Sequence, residues 1–451
     1  MVSLGRIAIF LAVCIFISHT ATLHAFSFQQ ALPHIAAKSS QLCTTNDPDN
    51  TPSPLFTSEM NRRSALFNAA ACATTAAASM ILQTQPALAK EIVPIGASWT
   101  AVAGLNTNDN TFVQFDSKAY QAMVMDPART PFFEKAIIKR LRSAPGGPES
   151  QVVLDLGTGP VAVFAIIAAQ NGAGKVYAIE ANSEAARSAR ATVTKAGFDD
   201  IITVIEGFST DTTLPNNVKA DFCVAEIIGS VVSEEGAYAT ILDAHRRLIK
   251  EPNMAENWIP SRIQTYGAPA SYSLHNLFQP PAFDWDKLQG EPVRFNCKDE
   301  GLQLLSDPQI LEDIRFWDIE SCGFQKKELR FTVDPNRIED NTPAFFNEFR
   351  LGRLENSEAE KMSIQTARSF SGIAMWPRLL LDADGSIEVN SRSYPDGNHQ
   401  RSHWQTVLPI MNALPVTVQG GDEVVVTVDF DIPVIVKGEK PPSYKLAGNI
   451  I

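Results

Sequence analysis

Residues 152–160 read VVLDLGTGP, and this short stretch decides the fold class of the chain. A nearly continuous apolar run, here 152–156, is typical of a strand that is buried on both faces of a parallel sheet. Gly157 and Gly159 follow it directly, and glycines at a strand-to-helix turn allow a ligand to approach the backbone closely. The stretch therefore predicts a buried strand, a ligand-binding turn and then a helix over 161–171.

Strand and helix patterns continue to alternate after this stretch. Asn182 is placed to cap the helix that follows the next strand, and Glu180 ends that strand. A carboxylate in this position binds ribose hydroxyls in dinucleotide and S-adenosylmethionine sites alike, so the spacing from Gly157 to Glu180 leaves both ligands open. The alternation predicts a parallel, doubly wound sheet. Its further strands are expected at 176–179, 201–206 and 220–225.

The flanking segments differ in pattern. Residues 111–142 are mostly helical in pattern, and the run APGGP at 144–148 then breaks the chain. After Pro260, short alternating runs separated by turns such as Gly420-Gly421-Asp422 predict a mainly antiparallel β domain. We therefore expect N-terminal helices over 90–145, an α/β domain over 146–259 and a β domain over 260–451.

The first 25 residues have the features of a secretory signal. Arg6 precedes the apolar run 7–18. As a helix this run spans only about 18 Å, which is short of a bilayer core of about 30 Å. A basic start, a short apolar run and small residues before a cut after Ala25 match a secretory signal. The alternative is an amphipathic or buried helix.

A second signal is expected further along the chain. Residues 26–60 form a polar, transit-like linker, although its acidic residues weaken the match. Arg62-Arg63, an Ala-rich stretch and Ala87-Leu88-Ala89 make 61–89 resemble a twin-arginine export signal, with an ordinary Ala-rich helix as the alternative. This order resembles the presequence of thylakoid-lumen proteins in algae with complex plastids. It implies a plastid location reached through a secretory signal, with thylakoid lumen and stroma both open.

The charge balance excludes some partners. The net charge is −12, and residues 1–89 hold four basic and three acidic residues, so the remainder carries −13. An acidic surface binds phosphate backbones poorly and attracts cations, so we expect no nucleic acid partner.

Six widely spaced cysteines without paired Cys/His spacing argue against a metal site or a disulfide scaffold. No long apolar stretch follows residue 90, so we expect no membrane span after processing.

Two glutamates follow the fourth predicted strand. Glu226 and Glu235 are nine residues apart, with Gly229 between them to turn the chain. They can form the ends of a loop at the sheet edge where open α/β sheets bind ligands. Convergent carboxylates repel each other unless a cation lies between them, and a planar guanidinium suits such a pair. Taken alone, the pattern is more typical of two unrelated surface acids.

Other segments, far from this pair of glutamates in sequence, resemble motifs of one protein family. Residues 226–235 resemble the double-E loop of protein arginine methyltransferases, and 123–130, MVMDPART, are similar to that family's M-x-x-D-x-x-R-T segment. Residues 402–407, SHWQTV, resemble its T-H-W loop, with Ser402 in place of threonine. The ordered set extends over about residues 111–430. It implies an α/β Rossmann-like, S-adenosylmethionine-dependent methyltransferase domain followed by an antiparallel β-barrel domain.

The resemblance also assigns a role to each matching residue. Arg129 would pair with the methionine carboxylate of S-adenosylmethionine, Glu180 would hold the ribose hydroxyls, and three residues would line the cofactor: Asp155, Gly157 and Gly159. Glu226 and Glu235 would clamp the substrate guanidinium. His403 would pair with Asp126, Trp404 would wall the arginine pocket, and Met123 would lie near the acceptor nitrogens.

The activity implied by the resemblance is methyl transfer from S-adenosylmethionine to a guanidino nitrogen of protein arginine. Two alternatives stay open: a small guanidino or amine acceptor, and a non-catalytic binding or scaffold protein. Pro160-Val161 stands where the family has a third glycine, a departure that concerns the affinity for the cofactor and not the fold. Segment 275–345 shows no pattern that matches the family's dimerisation arm, so a homodimer is compatible with the sequence but not indicated by it.

Overall fold

The computed structural model describes residues 92–101, 117–288, 290–295, 301–392, 402–433 and 441–451. The predicted signals in 1–89 and Cys297 lie outside these residues. Within them, the two cysteines, Cys223 and Cys322, are both buried and free. None of the described helices is long and apolar enough to cross a bilayer. One compact unit comprises Glu91–Ile451.

The N-terminal part contains a strand and two helices: β1 (Val93–Thr100), α1 (Ser117–Val124) and α2 (Thr130–Arg142). Segment 90–145 was expected to be helical, but it begins with β1 because Ile95 and Trp99 point inward with the period of a strand. The helical pattern is interrupted between α1 and α2. Pro127 disfavours helix at the preceding residue, and the Asp126 carboxylate accepts a hydrogen bond from the Ala128 amide at 2.7 Å.

A five-stranded parallel sheet follows, in the order β4-β3-β2-β5-β6. Its elements are β2 (Val152–Leu156), α3 (Val163–Gln170), β3 (Lys175–Glu180), α4 (Ser183–Ala196), β4 (Ile202–Glu206), β5 (Phe222–Ala225), α5 (Ala237–Arg247) and β6 (Trp258–Ile259). The Asn182 side chain caps α4 by accepting hydrogen bonds from Glu184 and Ala185 amides, each at 2.9 Å. A helix was predicted over 161–171, but α3 starts two residues later, at Val163, because Ala162 has a left-handed backbone conformation with φ of 49°.

The remainder is the β-barrel domain. Its elements are β7 (Arg262–Tyr272), α6 (Ser273–Leu277), β8 (Val293–Phe295), β9 (Leu302–Leu304), β10 (Gln309–Arg315), β11 (Phe324–Thr332), α7 (Pro335–Leu351), α8 (Asn356–Ala367), β12 (Ser369–Phe370), β13 (Gly372–Leu380), β14 (Glu388–Asn390), β15 (Thr406–Leu408), β16 (Val416–Thr417), β17 (Glu423–Asp431) and β18 (Ser443–Ile450). One antiparallel sheet has the order β10-β7-β13-β15-β8, and a second has the order β1-β18-β17-β11.

Two features of the barrel were not predicted. Strand β1 belongs to it, since it pairs antiparallel with β18 from Val93 opposite Ile450 to Thr100 opposite Ser443. Helices α7 and α8 interrupt the β pattern, and Phe345 and Phe349 of α7 pack in the same core as barrel residue Phe331. The expectation of a mainly antiparallel second domain nevertheless holds, because these helices lie between strands of the barrel sheets.

Candidate functional site

The turn after β2 and the end of β3 form one side of the site. Gly157 and Gly159 have φ of 70° and 65°, a conformation that favours glycine. A Cβ on Gly157 would lie 2.7 Å from the Ile227 side chain. The structure therefore brings the predicted cofactor turn against the start of the double-E loop, which follows β5.

Asp155 lies at the base of this turn. Its Oδ2 accepts hydrogen bonds from the Thr158 hydroxyl at 2.6 Å and the Ala165 amide at 3.0 Å. Its Oδ1 is buried and has no partner among the described residues. Burial raises the pKa of Asp155 to about 6, against the effect of these hydrogen bonds. An unpaired buried acceptor is costly, so this oxygen suits a ligand that brings a hydrogen-bond donor.

Glu180 is held by the backbone around it. Its two oxygens accept hydrogen bonds from the Gly159 amide at 2.9 Å and the Asn182 amide at 2.8 Å. Burial raises its pKa, and these amides oppose the shift. An ionised carboxylate has about four acceptor positions, so these amides leave room for a ribose hydroxyl. Together with the orphan oxygen of Asp155, this arrangement fits S-adenosylmethionine.

Arg129 connects the cofactor side to the double-E loop. Its Nε donates to Glu226 Oε2 at 2.5 Å, its Nη2 also pairs with that oxygen, and its Nη1 donates to the Met123 carbonyl at 3.2 Å. The guanidinium lies 4.8 Å from the ring centre of Phe164. Of its five N–H groups these contacts use three, which leaves two for the carboxylate that Arg129 was predicted to bind.

Glu235 lies at the other end of the double-E loop. The pKa of Glu235 is raised to about 8, first by burial and then by the charges of Glu226 and Glu234, while the charges of Arg294 and Arg129 oppose the shift. No described residue donates a hydrogen bond to the Glu235 carboxylate. The charge of Glu226 therefore acts on Glu235, and like charges repel in the absence of a cation. A guanidinium between them would relieve their repulsion.

The T-H-W loop joins the barrel to the segment between α1 and α2. Asp126 Oδ2 accepts from the His403 amide and faces His403 Nδ1, each at 2.9 Å, and it accepts from the Ser402 hydroxyl at 3.1 Å. Burial alone would raise the pKa of Asp126, but these contacts with His403 outweigh it and hold the pKa below its usual value. The predicted Asp126–His403 pair is therefore present, and Ser402 supplies the hydroxyl that threonine would.

Trp404 anchors the same loop to the double-E loop. Its indole Nε1 donates to the Ile228 carbonyl at 2.8 Å, and the Gln405 amide donates to the Ser230 hydroxyl at 2.9 Å. The Trp404 ring lies 4.0 Å from that of His403, between ring centres. Since Trp404 is almost fully buried, the structure shows it as a packed wall that fixes the middle of the double-E loop.

Sequence reasoning missed two parts of the site. Tyr120 of α1 lies beside Gly159, and its pKa is raised by burial and then by the charges of Glu180 and Glu235. Its position one helical turn before Met123 is the signal that could have found it. Arg294 of β8 donates to both oxygens of Glu234, at 2.7 and 3.2 Å. No sequence pattern indicated that pair, because Arg294 is 60 residues away from Glu234.

Comparisons with known proteins agree with this geometry. The family model of ribosomal protein L11 methyltransferase (PrmA) matches residues 142–241. Protein arginine N-methyltransferase PRMT10 of Arabidopsis thaliana is 33% identical over 289 residues, which cover 61% of this chain and 70% of that protein. Protein arginine N-methyltransferase 6 of Danio rerio is 31% identical over 316 residues, which cover 65% of this chain and 85% of that protein.

A solved structure shows the same fold. It is the PRMT1 enzyme–prozyme heterotetrameric complex of Trypanosoma brucei with AdoHcy, which is 17% identical with a TM-score of 0.50 and covers 69% of this chain and 87% of that chain. A Rossmann-like domain followed by a β-barrel is thus shared, as predicted. With the matched length and identity of the two sequence relatives, the chain belongs to the protein arginine N-methyltransferase family.

Proposed function

We propose that this protein transfers a methyl group from S-adenosylmethionine to a guanidino nitrogen of arginine in a protein or peptide. The observation that supports the proposal is the arrangement of the double-E loop: Glu226 pairs with Arg129, its charge acts on Glu235, and Trp404 holds the loop at Ile228. The names of the relatives support it. The charge of −13 after residue 89 favours cationic protein segments over nucleic acid as partners.

The residues that would hold the cofactor are Asp155, Glu180 and Arg129, with Gly157 and Gly159 giving access to the backbone. When bound, S-adenosylmethionine supplies a methyl group activated by positively charged sulfur. Arg129 would bind the carboxylate of the methionine part with its two remaining N–H groups. Because Arg129 also pairs with Glu226, one residue ties the cofactor side to the substrate side.

The two glutamates would orient and polarise the substrate. Carboxylates that bind one edge of a guanidinium draw its positive charge toward themselves and direct the opposite nitrogen toward the methyl group. The pKa of Glu235, about 8, makes this carboxyl able to take up a proton near neutral pH. Glu235 can therefore bind the guanidinium when ionised and accept the proton that the methylated nitrogen loses.

The test uses the chain from Lys90 to Ile451. Calorimetric titration should detect S-adenosylmethionine binding, and a radiolabelled methyl group should appear on arginine-rich peptides. The absence of S-adenosylmethionine binding would refute the proposal that this protein is a methyltransferase. Methyl transfer to free arginine or small amines but not to peptides would refute the proposal of a protein substrate and would support a small acceptor.

Glu235→Gln tests the mechanism more cleanly than a change at Glu226, which also pairs with Arg129. We expect transfer to fall by at least about a hundredfold, since one electrostatic contact to the reacting group is lost, while cofactor affinity stays unchanged. Glu320→Gln is the matched control, because Glu320 is exposed and pairs with Arg246 away from the site. Transfer by Glu235→Gln at the rate of the control would contradict the proposed role.

We also propose delivery to a plastid, in the thylakoid lumen or stroma, and assembly as a homodimer. The order of signals in 1–89 supports the first. The second rests on membership of a family that has a dimerisation arm, although segment 275–345 shows no pattern that matches this arm. The sequence read by N-terminal sequencing of protein purified from its cell should begin near Lys90 if the second signal is cut as predicted.

The homodimer is tested by light scattering, which should give the 90–451 chain twice the mass of one chain.

A further inference from the structure

A buried polar network lies beneath the double-E loop. We name it the Glu312 network, and it contains Glu312, Thr265, Ser233 and Tyr444. All four side chains are almost completely inaccessible to solvent. Ser233 belongs to the double-E loop, and the other three belong to the barrel strands β10, β7 and β18. The predicted site does not include any of them.

A bulge explains why Glu312 points into the barrel. Strand β10 pairs with β7, with Ile310 opposite Tyr266 and Glu312 opposite Thr265, so Leu311 is an additional residue in the register. A bulge of this kind leaves two consecutive residues facing one residue on the partner strand. Leu311 and Glu312 are accordingly both buried. Without the bulge, Leu311 and Glu312 would point to opposite faces of the sheet.

Hydrogen bonds connect Glu312 to the backbone of the double-E loop. The Val232 amide donates to the Thr265 hydroxyl at 3.1 Å, and that hydroxyl donates to Glu312 Oε2 at 2.8 Å. A hydroxyl has one proton to donate. Because Glu312 receives that proton, the Thr265 oxygen is left with its lone pairs for Val232. The carboxyl thus fixes the direction of the contact that holds the loop.

A second connection reaches the loop from β18. The Ser233 and Tyr444 hydroxyls are hydrogen-bonded at 2.9 Å. Burial raises the pKa of Glu312 to about 7, and the Ser233 and Thr265 hydroxyls beside it oppose that shift. The charged groups around this carboxyl are Glu234 of the loop and Lys327 of β11. Its other oxygen, Oε1, has no partner among the described residues.

We propose that Glu312 is a positioning residue that holds the 231–235 part of the double-E loop, through the Thr265 hydroxyl and the Val232 amide, and thereby sets the place of the Glu235 carboxylate. Ser233 is two positions before Glu235, so a shift of this segment moves the substrate carboxylate. The inference rests on the proposed function in assigning Glu235 to the substrate. Its structural part, that Glu312 fixes the loop, does not depend on that function.

The first experiment does not need enzymatic activity. Hydrogen exchange of the 226–236 segment is measured by mass spectrometry in wild type, Glu312→Ala and Asp313→Asn. Asp313 is the matched control, because it neighbours Glu312 but binds Arg262 and Gln264 instead of the loop. We expect exchange about tenfold faster in Glu312→Ala, the scale of one lost buried hydrogen bond, and unchanged exchange in Asp313→Asn. Equal exchange in all three proteins would overturn the proposal.

The second experiment separates positioning from loss of fold. Glu312→Ala should lower kcat/KM for an arginine peptide by about tenfold or more, since small misplacements of reacting groups cost up to a hundredfold. The dissociation constant for S-adenosylmethionine should change less than about twofold. Glu312→Gln, which keeps an oxygen for the Thr265 hydroxyl, should restore most of the activity. Failure of this rescue, or an equal loss in Asp313→Asn, would overturn the role in positioning.

Thr265→Val is the second variant if Glu312→Ala does not fold. It removes the hydroxyl between Val232 and Glu312 with little change in volume, so loop exchange and peptide kcat/KM should change as for Glu312→Ala. Normal kinetics and exchange in this variant would refute the proposal. If wild type binds cofactor but transfers no methyl group, the proposed function fails, and the exchange experiment still decides whether Glu312 holds the loop.

Discussion

At the residue scale, Glu235 makes substrate binding depend on pH. Its pKa is raised to about 8, so below that pH the free protein holds a neutral carboxyl. A guanidinium prefers the ionised form, and binding must then release a proton. We expect kcat/KM for an arginine peptide to rise by up to about tenfold per pH unit below pH 8 and to level off above it.

A pH profile between about pH 7 and 9.5 checks this prediction, and the affinity for S-adenosylmethionine over the same range is the control. Calorimetry in buffers of different ionisation enthalpy should show proton release on peptide binding at pH 7, and little at pH 9. A flat profile together with no proton release would mean that Glu235 is already ionised in the free protein.

Ser402 gives a second residue-scale prediction. Its hydroxyl donates to Asp126 at 3.1 Å and accepts from the Trp404 amide at 3.3 Å. Ser402→Ala removes a hydrogen bond to a buried carboxylate, so it should lower the free energy of unfolding by about 1–3 kcal/mol. Ser402→Thr keeps the hydroxyl and should change it little. Urea unfolding of both variants is the measurement, and equal losses would show that the hydroxyl is unimportant.

At the element scale, the cap of α4 adjoins the cofactor side of the site. Asn182 accepts from two amides of the first turn, and its own amide donates to Glu180. Asn182→Ala should cost about 1 kcal/mol of stability, because those amides lose their acceptor. Asn182→Asp retains an acceptor and is the control. If urea unfolding shows the same loss for both variants, the cap contributes nothing measurable.

Elements with strong local patterns were predictable from the sequence. The strands β2 to β5 lie within two residues of their predicted positions, because apolar runs between turns do not depend on distant partners. Strand β1 was missed since its partner, β18, lies at the far end of the chain. The start of α3 was missed because a left-handed Ala162 is rare for a residue with a Cβ.

The residues of the site can likewise be divided into those that were predictable from the sequence and those that were not. The family resemblance pointed to Asp126 and His403, which the structure shows as a hydrogen-bonded pair, and to Glu226 and Glu235, where the charge of the first acts on the second. Spacing could not identify Glu312 as part of the loop support, because its inward direction depends on a bulge at Leu311. Nor could it show that Arg129 is bound to Glu226, since 97 residues separate them and only the folded chain sets their distance.

At the scale of the whole molecule, the double-E loop connects two cores. Val231 packs in the barrel core, whereas the next residue, Val232, packs in the core of the parallel sheet. Trp404, from a barrel loop, also packs in the sheet core. The active site therefore depends on both domains being folded, and a lesion in the barrel should weaken methyl transfer even though the cofactor residues lie in the other domain.

Removal of β1 tests this dependence. Trp99 stacks on Tyr444 with ring centres 5.1 Å apart, and Tyr444 hydrogen-bonds Ser233 of the double-E loop. A chain that begins at residue 102 should melt at lower temperature and lose peptide kcat/KM relative to one that begins at Lys90, because it exposes the edge of β18. Thermal unfolding and kinetics are the measurements. Equal behaviour of the two chains would show that β1 is dispensable.

The pairing of β1 with β18 has one further consequence. Val93 lies opposite Ile450, so the first and last strands of the folded unit meet at neighbouring positions, about 5 Å apart. A short glycine-rich linker could join Ile451 to Ile92, and new ends could be opened elsewhere on the surface without breaking a strand pairing. The enzyme is therefore suited to circular permutation, which would give an active protein whose order of domains along the gene is reversed.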